Sequence, residues 1–118
     1  KKFVNQSASN LHDHYGDMSP VHSLNNLAVV IWAFLSFKDS FDEAIGETIC
    51  CGWDTDCTGA TVGGLIGLDK GSIPESWTDP WQGRVNTAIA GVGELKLEDL
   101  VERTCKLVDQ FSSESDMD

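Results

Sequence analysis

The segment Gly52-Trp53-Asp54-Thr55-Asp56-Cys57-Thr58-Gly59-Ala60 sets two carboxylates one residue apart, just where helical spacing begins. Mg²⁺ and Ca²⁺ take oxygen ligands, and an Asp-x-Asp turn can aim both side chains to one side of an irregular backbone, where a regular helix would splay them. The same carboxylates can also serve as a helix cap, favoured by the free amides and dipole of a first turn by about 0.5–2 kcal/mol. For a bare Asp-x-Asp the cap is the commoner role. A calcium-binding EF-hand loop fits poorly: Asp54, Asp56, Thr58 and Gly59 match its first, third, fifth and sixth positions, but Leu65 stands where the bidentate glutamate belongs.

Other chemistry-bearing residues lie nearby. His22 precedes an apolar helical run and can touch a ligand or bond backbone at the helix start; Asn25 and Asn26 fall in the first turn, where polar side chains satisfy free amides. Trp53, beside the aspartates, can stack on an adenine or be buried against helices. His12 and His14 are spaced like a ligand pair but have no third ligand near them, which favours a surface pair. Zinc at Cys50, Cys51 and Cys57 is disfavoured, because a helix would turn the first two in different directions.

The elements that must hold these residues are read from apolar period and caps. Residues 1–22 are polar and broken by Gly and Pro, and are expected to be irregular. Leu24, Leu27, Ala28, Ile31, Phe34 and Leu35 recur at steps of three and four, which predicts a helix over 24–37; Val30 and Trp32 extend its apolar surface around most of the cylinder, as for a helix deep in an assembly. Ser40-Phe41-Asp42-Glu43 is a capping box opening a second helix that reaches Cys50 and Cys51 and stops at Gly52. A third helix is expected over 56–68, with Gly59, Gly63 and Gly67 on one stripe where a neighbouring helix can approach closely, and Gly71 as its stop. Ile73-Pro74-Glu75-Ser76-Trp77 suits a short helical turn, Asp79-Pro80-Trp81-Gln82-Gly83 suits a turn, and 97–111 has the period of a final helix. Residues 112–118 are expected to form a mobile acidic tail. No strand ladder is legible, so the expected class is all-α.

Composition narrows the function. Eight Lys+Arg against nineteen Asp+Glu give a net charge of −11, which repels phosphate backbones and anionic lipid, so nucleic acid and membrane surfaces are set aside as partners. The longest apolar run, Leu27 to Leu35, is half of what a membrane span needs. Four cysteines without the spacing of a secreted scaffold point to a reducing, cytoplasmic setting.

Gly52-Trp53-Asp54-Thr55-Asp56-Cys57-Thr58-Gly59-Ala60-Thr61-Val62-Gly63 resembles the Gly-Trp-Asp-Thr-Asp-Cys-Asn-Gly-Ala-Thr-Val-Gly segment of bacterial ADP-ribosylglycohydrolases. The likeness extends to Gly16-Asp17 and Val21-His22-Ser23-Leu24-Asn25-Asn26 upstream, and to Ile73-Pro74-Glu75-Ser76-Trp77 and Leu100-Val101-Glu102-Arg103-Thr104 downstream, covering most of the chain. The resemblance implies a multi-helical, all-α hydrolase with two Mg²⁺ ions, in some members Mn²⁺. Such an enzyme cleaves the glycosidic bond between ADP-ribose and a protein side chain or a related small acceptor. It makes Asp54 and Asp56 metal ligands, reverses the odds against that role, and brings His22 and Trp53 into consideration for substrate. The family's usual next ligand is a hydroxyl residue; here that position is Cys57, a poor partner for Mg²⁺, which leaves Thr58 or water to take the place. The resemblance assigns no catalytic side chain in this chain.

The family's remaining ligands, a Thr-Asp-Asp group with a nearby glutamate, have no counterpart in residues 1–22. The expectation is therefore the C-terminal portion of the domain over 23–111, half of a dinuclear site, completed by an N-terminal half or a second chain. The rival expectation is a non-catalytic helical module, structural or ADP-ribose-binding, on the same scaffold. A helix as apolar as 24–37 further predicts that the free chain exposes apolar surface or self-associates.

Overall fold

The computed structural model describes the backbone of residues 2–115 and the side chains of residues 8–112. The described chain is predominantly helical and divides between Pro74 and Glu75 into two compact units.

The first unit holds α1 (Lys2–Tyr15), α2 (Ser23–Phe37), α3 (Phe41–Cys50) and α4 (Thr55–Lys70). α2, α3 and α4 pack on one another, and α1 lies against α2. Val30 and Ala33 of α2, Ala44 of α3, and Val62 and Ile66 of α4 form the core, with Trp32, Phe34, Phe37 and Phe41 packed against it. Local signals set the boundaries. The Ser40 hydroxyl accepts from the Glu43 amide at 3.4 Å to start α3, and Gly71 ends α4 in the left-handed region at φ 70°.

The expectation of irregular structure over 1–22 is corrected by α1, which occupies Lys2–Tyr15. Its mean composition is polar, but Val4, Ala8, Leu11 and Tyr15 recur at steps of three and four in the sequence, a sparse helical stripe that the polar residues between them obscure. Just past its end, Gly16 sits where any Cβ would fall 2.6 Å from the carbonyl oxygen of His12, so the position calls for glycine. α2 also departs from the expectation of burial on most sides: Leu24, Leu27, Ile31 and Leu35 share an exposed face, Leu35 at 70%. Among the described residues this face of α2 presents exposed apolar side chains.

The first two glycines of the α4 stripe meet α3, and the third, Gly67, faces Ile73. A Cβ at Gly59 would lie 3.7 Å from Ile49, and one at Gly63 3.2 Å from the Cδ1 of Ile45. These distances separate two substitutions. Gly59→Ala makes an ordinary contact and recovers helix propensity, so it is expected to stabilise by up to about 1 kcal/mol. Gly63→Val drives into Ile45 and is expected to destabilise by about 1–3 kcal/mol. Thermal unfolding of the two variants should shift the midpoint in opposite directions.

In the second unit, α5 (Glu75–Thr78) and a 3₁₀ turn (Asp79–Trp81) lead into β1 (Arg84–Asn86), β2 (Glu94–Lys96) and α6 (Leu97–Ser115). The strands pair antiparallel, with Val85 opposite Leu95, and Arg84 forms an ion pair with Glu94. This hairpin corrects the expectation of no strands; each strand is three residues long, too short for alternation to declare itself. α6 continues through Ser115 where the sequence predicts a mobile tail from 112, and 116–118 lie outside the described residues. Among the described residues no helix is long and apolar enough to cross a membrane.

Candidate metal centre

The Asp-x-Asp segment sits where α3 hands over to α4. Gly52 and Trp53 both take left-handed backbone, at φ 76° and φ 60°. This is undemanding for glycine but uncommon for tryptophan. The turn delivers Asp54 as the residue before α4, Asp56 to its first turn, and Cys57 beside them. Carboxylate oxygens of Asp54 and Asp56 and the Cys57 sulfur all lie within 4.8 Å of one another. The simple cap does not describe Asp54, whose side chain makes no cap hydrogen bond.

Electrostatics tie the three together. The hydrogen bond shared with Asp54, and then the amides of Asp56 and Cys57, hold the Asp56 carboxyl below the usual carboxylate range. A hydrogen bond to Asp54, followed by the charges of both aspartates, pushes the Cys57 thiol up. Cys51, by contrast, is buried, and that burial pushes its thiol up to about 11, with Glu47 and Cys50 adding.

Thr58 follows the cluster in α4 and is buried at 2% exposure. Its hydroxyl donates to the Asp54 carbonyl at 3.0 Å and faces the Thr55 carbonyl at 3.4 Å, so its proton is committed to the turn. The Asp54 carbonyl also accepts the Thr58 amide at 3.0 Å. Thr58 and Cys57 line one wall of a groove of about 320 Å³, with Ser23, Asn26, Leu27 and Val30 of α2 opposite.

Asn26 ties α2 to this turn. Its Oδ1 accepts the Asp54 amide at 3.2 Å, while its Nδ2 donates to the carbonyls of Pro20 at 2.8 Å and His22 at 2.9 Å. Asn25, fully buried, donates from Nδ2 to Ser19 at 3.1 Å and accepts the Asn26 amide at 2.9 Å. The sequence marks both asparagines as first-turn residues, but a partner 28 positions away leaves no local trace. His22 caps α2, its Nδ1 accepting the Leu24 amide at 3.1 Å.

His12, expected as half of a surface pair, reaches the turn from α1. Its Nε2 lies 2.7 Å from the Cys51 carbonyl, and its ring stacks on Trp53 with centroids 4.2 Å apart. Trp53 is thus half-buried with one face on an imidazole. No sequence signal connects positions 12 and 53, since the contact exists only because α1 docks.

Two carboxylates converging on an irregular turn suit a hard divalent cation; the thiol beside them is a soft donor. The helices and this aspartate-bearing turn define a multi-helical protein with a candidate cation-binding turn. The ADP-ribosylglycohydrolase family model matches residues 3–115, and the chain belongs to that family, whose members are glycosyl hydrolases and generally metal-dependent. Searches of curated proteins and of solved structures found no match.

Proposed function

We propose that Asp54 and Asp56 hold a divalent cation, Mg²⁺ or Mn²⁺, as half of a dinuclear centre, with Thr58 available as a further oxygen ligand. The centre would serve hydrolysis of the glycosidic bond between ADP-ribose and a protein side chain or a related small acceptor. The observation that carries this reading is the convergence of the two carboxylates within 4.8 Å at the entry to α4, in a chain matched by the family over 113 of its residues (3 to 115, inclusive). Cleavage at the anomeric carbon of ribose passes through an oxocarbenium-like state, and cations of this kind orient hydroxyls and lower the pKa of an attacking water. This chain's own residues bind and orient: the aspartates supply the oxygen donors, and Asn26 holds the Asp54 backbone. Trp53 and His22 stand near enough in sequence to the turn and to α2 to meet a nucleotide.

The substrate is an ADP-ribosylated protein or a small ADP-ribose derivative, and the remaining ligands come from an N-terminal half or a second chain. A non-catalytic ADP-ribose-binding or structural module is the second reading. It is favoured by a cluster that, among the described residues, gathers only Asp54, Asp56 and Cys57.

Calorimetric titration with Mg²⁺ tests the metal assignment. Asp54→Asn combined with Asp56→Asn is expected to lower affinity by about 100-fold or more, since it removes both charged oxygen ligands; unchanged affinity overturns the assignment. Release of ADP-ribose from a modified protein by the isolated chain with Mg²⁺ would remove the non-catalytic reading.

A further inference from the structure

Two left-handed residues in succession, Gly52 and Trp53, turn the chain from α3 into α4. At Trp53 that conformation crowds the Cβ against the backbone, and a residue other than glycine stays in it only where its surroundings hold it there. Those surroundings come from two directions. On one side of Trp53, Asn26 of α2 takes the Asp54 amide. On the other, α1 brings in His12. The Cys51 carbonyl lies at the end of α3, where no helical amide remains to bond it. A carbonyl oxygen only accepts, so the His12 Nε2 atom 2.7 Å away carries the proton and donates it. The same ring covers a face of the indole at a centroid distance of 4.2 Å, tilted by 33°. One side chain thus pins both neighbours of Gly52. His14, two residues on, packs edge-on against Tyr15 instead, so of this pair it is His12 that reaches the turn.

We propose that His12 is a positioning residue: through it α1 latches the turn between α3 and α4, keeping Trp53 left-handed and so setting the direction in which Asp54 and Asp56 leave the backbone. Its consequence for cation binding rests on the metal-centre reading; the latch itself does not. His12 bonds the Cys51 carbonyl rather than a carboxylate, and so acts through the backbone. It is exposed, and its replacement leaves the core of Val30, Ala33, Ala44, Val62 and Ile66 in place.

Amide hydrogen exchange on the full chain reads the latch at the two bonds that flank Trp53, from the Gly52 amide to the Ile49 carbonyl at 3.0 Å and from the Asp54 amide to Asn26 at 3.2 Å. His12→Ala is expected to speed exchange at both by about tenfold, the effect of losing a hydrogen bond and a ring contact, while the amides of Val62 and Ile66 keep their rates. His12→Gln returns a donor to the Cys51 carbonyl without the ring, His12→Phe returns the ring without the donor, and each should recover part of the protection. Calorimetry with Mg²⁺ is expected to follow the same order, with His12→Ala weaker than the parent by about tenfold. Unchanged exchange at Gly52 and Asp54 overturns the proposal. So does an acceleration shared equally by Val62 and Ile66, which marks a loss of stability throughout the unit. An Mg²⁺ affinity that His12→Ala leaves intact, in a chain whose turn exchanges faster, overturns it too, because the aspartates would then not depend on the latch. If the parent binds no Mg²⁺, the metal-centre reading falls and the exchange rates alone decide the latch.

Discussion

Ile66→Ala is expected to lower the stability of the first unit by about 2–5 kcal/mol, the range for removing a large buried aliphatic side chain. Ile66 is 1% exposed and packs with Val30, Ala33, Ala44 and Val62, so the truncation leaves a cavity that three helices must relax around. A small domain has about 5–15 kcal/mol in total, and this single change removes a large fraction of it. Two residues further on, Leu68 is 83% exposed and its truncation is expected to stay within about 0.5 kcal/mol. Urea unfolding of both variants measures the contrast; equal losses would show that the core does not lie where these residues meet. The same helix carries Asp56 and Cys57 in its first turn, so unfolding α4 also dismantles the proposed metal centre.

Asn26→Ala is expected to act on the site as well as on stability. It releases the Asp54 amide and the carbonyls of Pro20 and His22, losing about 1–3 kcal/mol if those groups stay unpaired and less where water reaches them. An effect of similar size falls on the cation. Asn26 bonds the Asp54 amide rather than its carboxylate, and so fixes the backbone from which Asp54 projects. Residues that orient ligands in this way typically alter metal affinity by about 10–100-fold when removed. Calorimetry should therefore show a weaker Mg²⁺ site in a chain whose circular dichroism is unchanged. Undiminished affinity in that folded variant would assign Asn26 to the loop at Pro20 and His22 alone.

The difference between these residues mirrors how each could be found. Ser40 and Gly71 are legible because their chemistry is local: one hydroxyl bonds an amide three residues on, and one backbone takes a conformation glycine allows. The stripe Gly59, Gly63, Gly67 is legible as a surface a neighbour can approach; that α3 meets its first two members, through Ile49 and Ile45, is a tertiary fact. Helix α1 and the hairpin at Val85 and Leu95 escape for opposite reasons. The first hides a sparse apolar stripe, Val4, Ala8, Leu11 and Tyr15, in a polar composition, and the second is too short for a pattern.

At the candidate centre the division is similar. The pair Asp54 and Asp56 stands in the sequence, and only the wider run from Gly52 to Gly63 separates it from an ordinary cap. Cys57 reads there as a departure from an oxygen ligand. The fold instead brings its sulfur to the two carboxylates.

The sequence by itself determined the helical class, the caps, the acidic charge and the aspartate pair, because these depend on residues within a turn or two of one another. Only the tertiary structure decided that Asn26 holds Asp54, that His12 closes on Trp53 and Cys51, and that one face of α2 stays uncovered in this chain. Hydrogen bonds and ring contacts between residues tens of positions apart have no period and no spacing. They come into being when helices pack, and packing is set by the summed burial of Val30, Ala33, Ala44, Val62 and Ile66 rather than by the residues that it brings to the site.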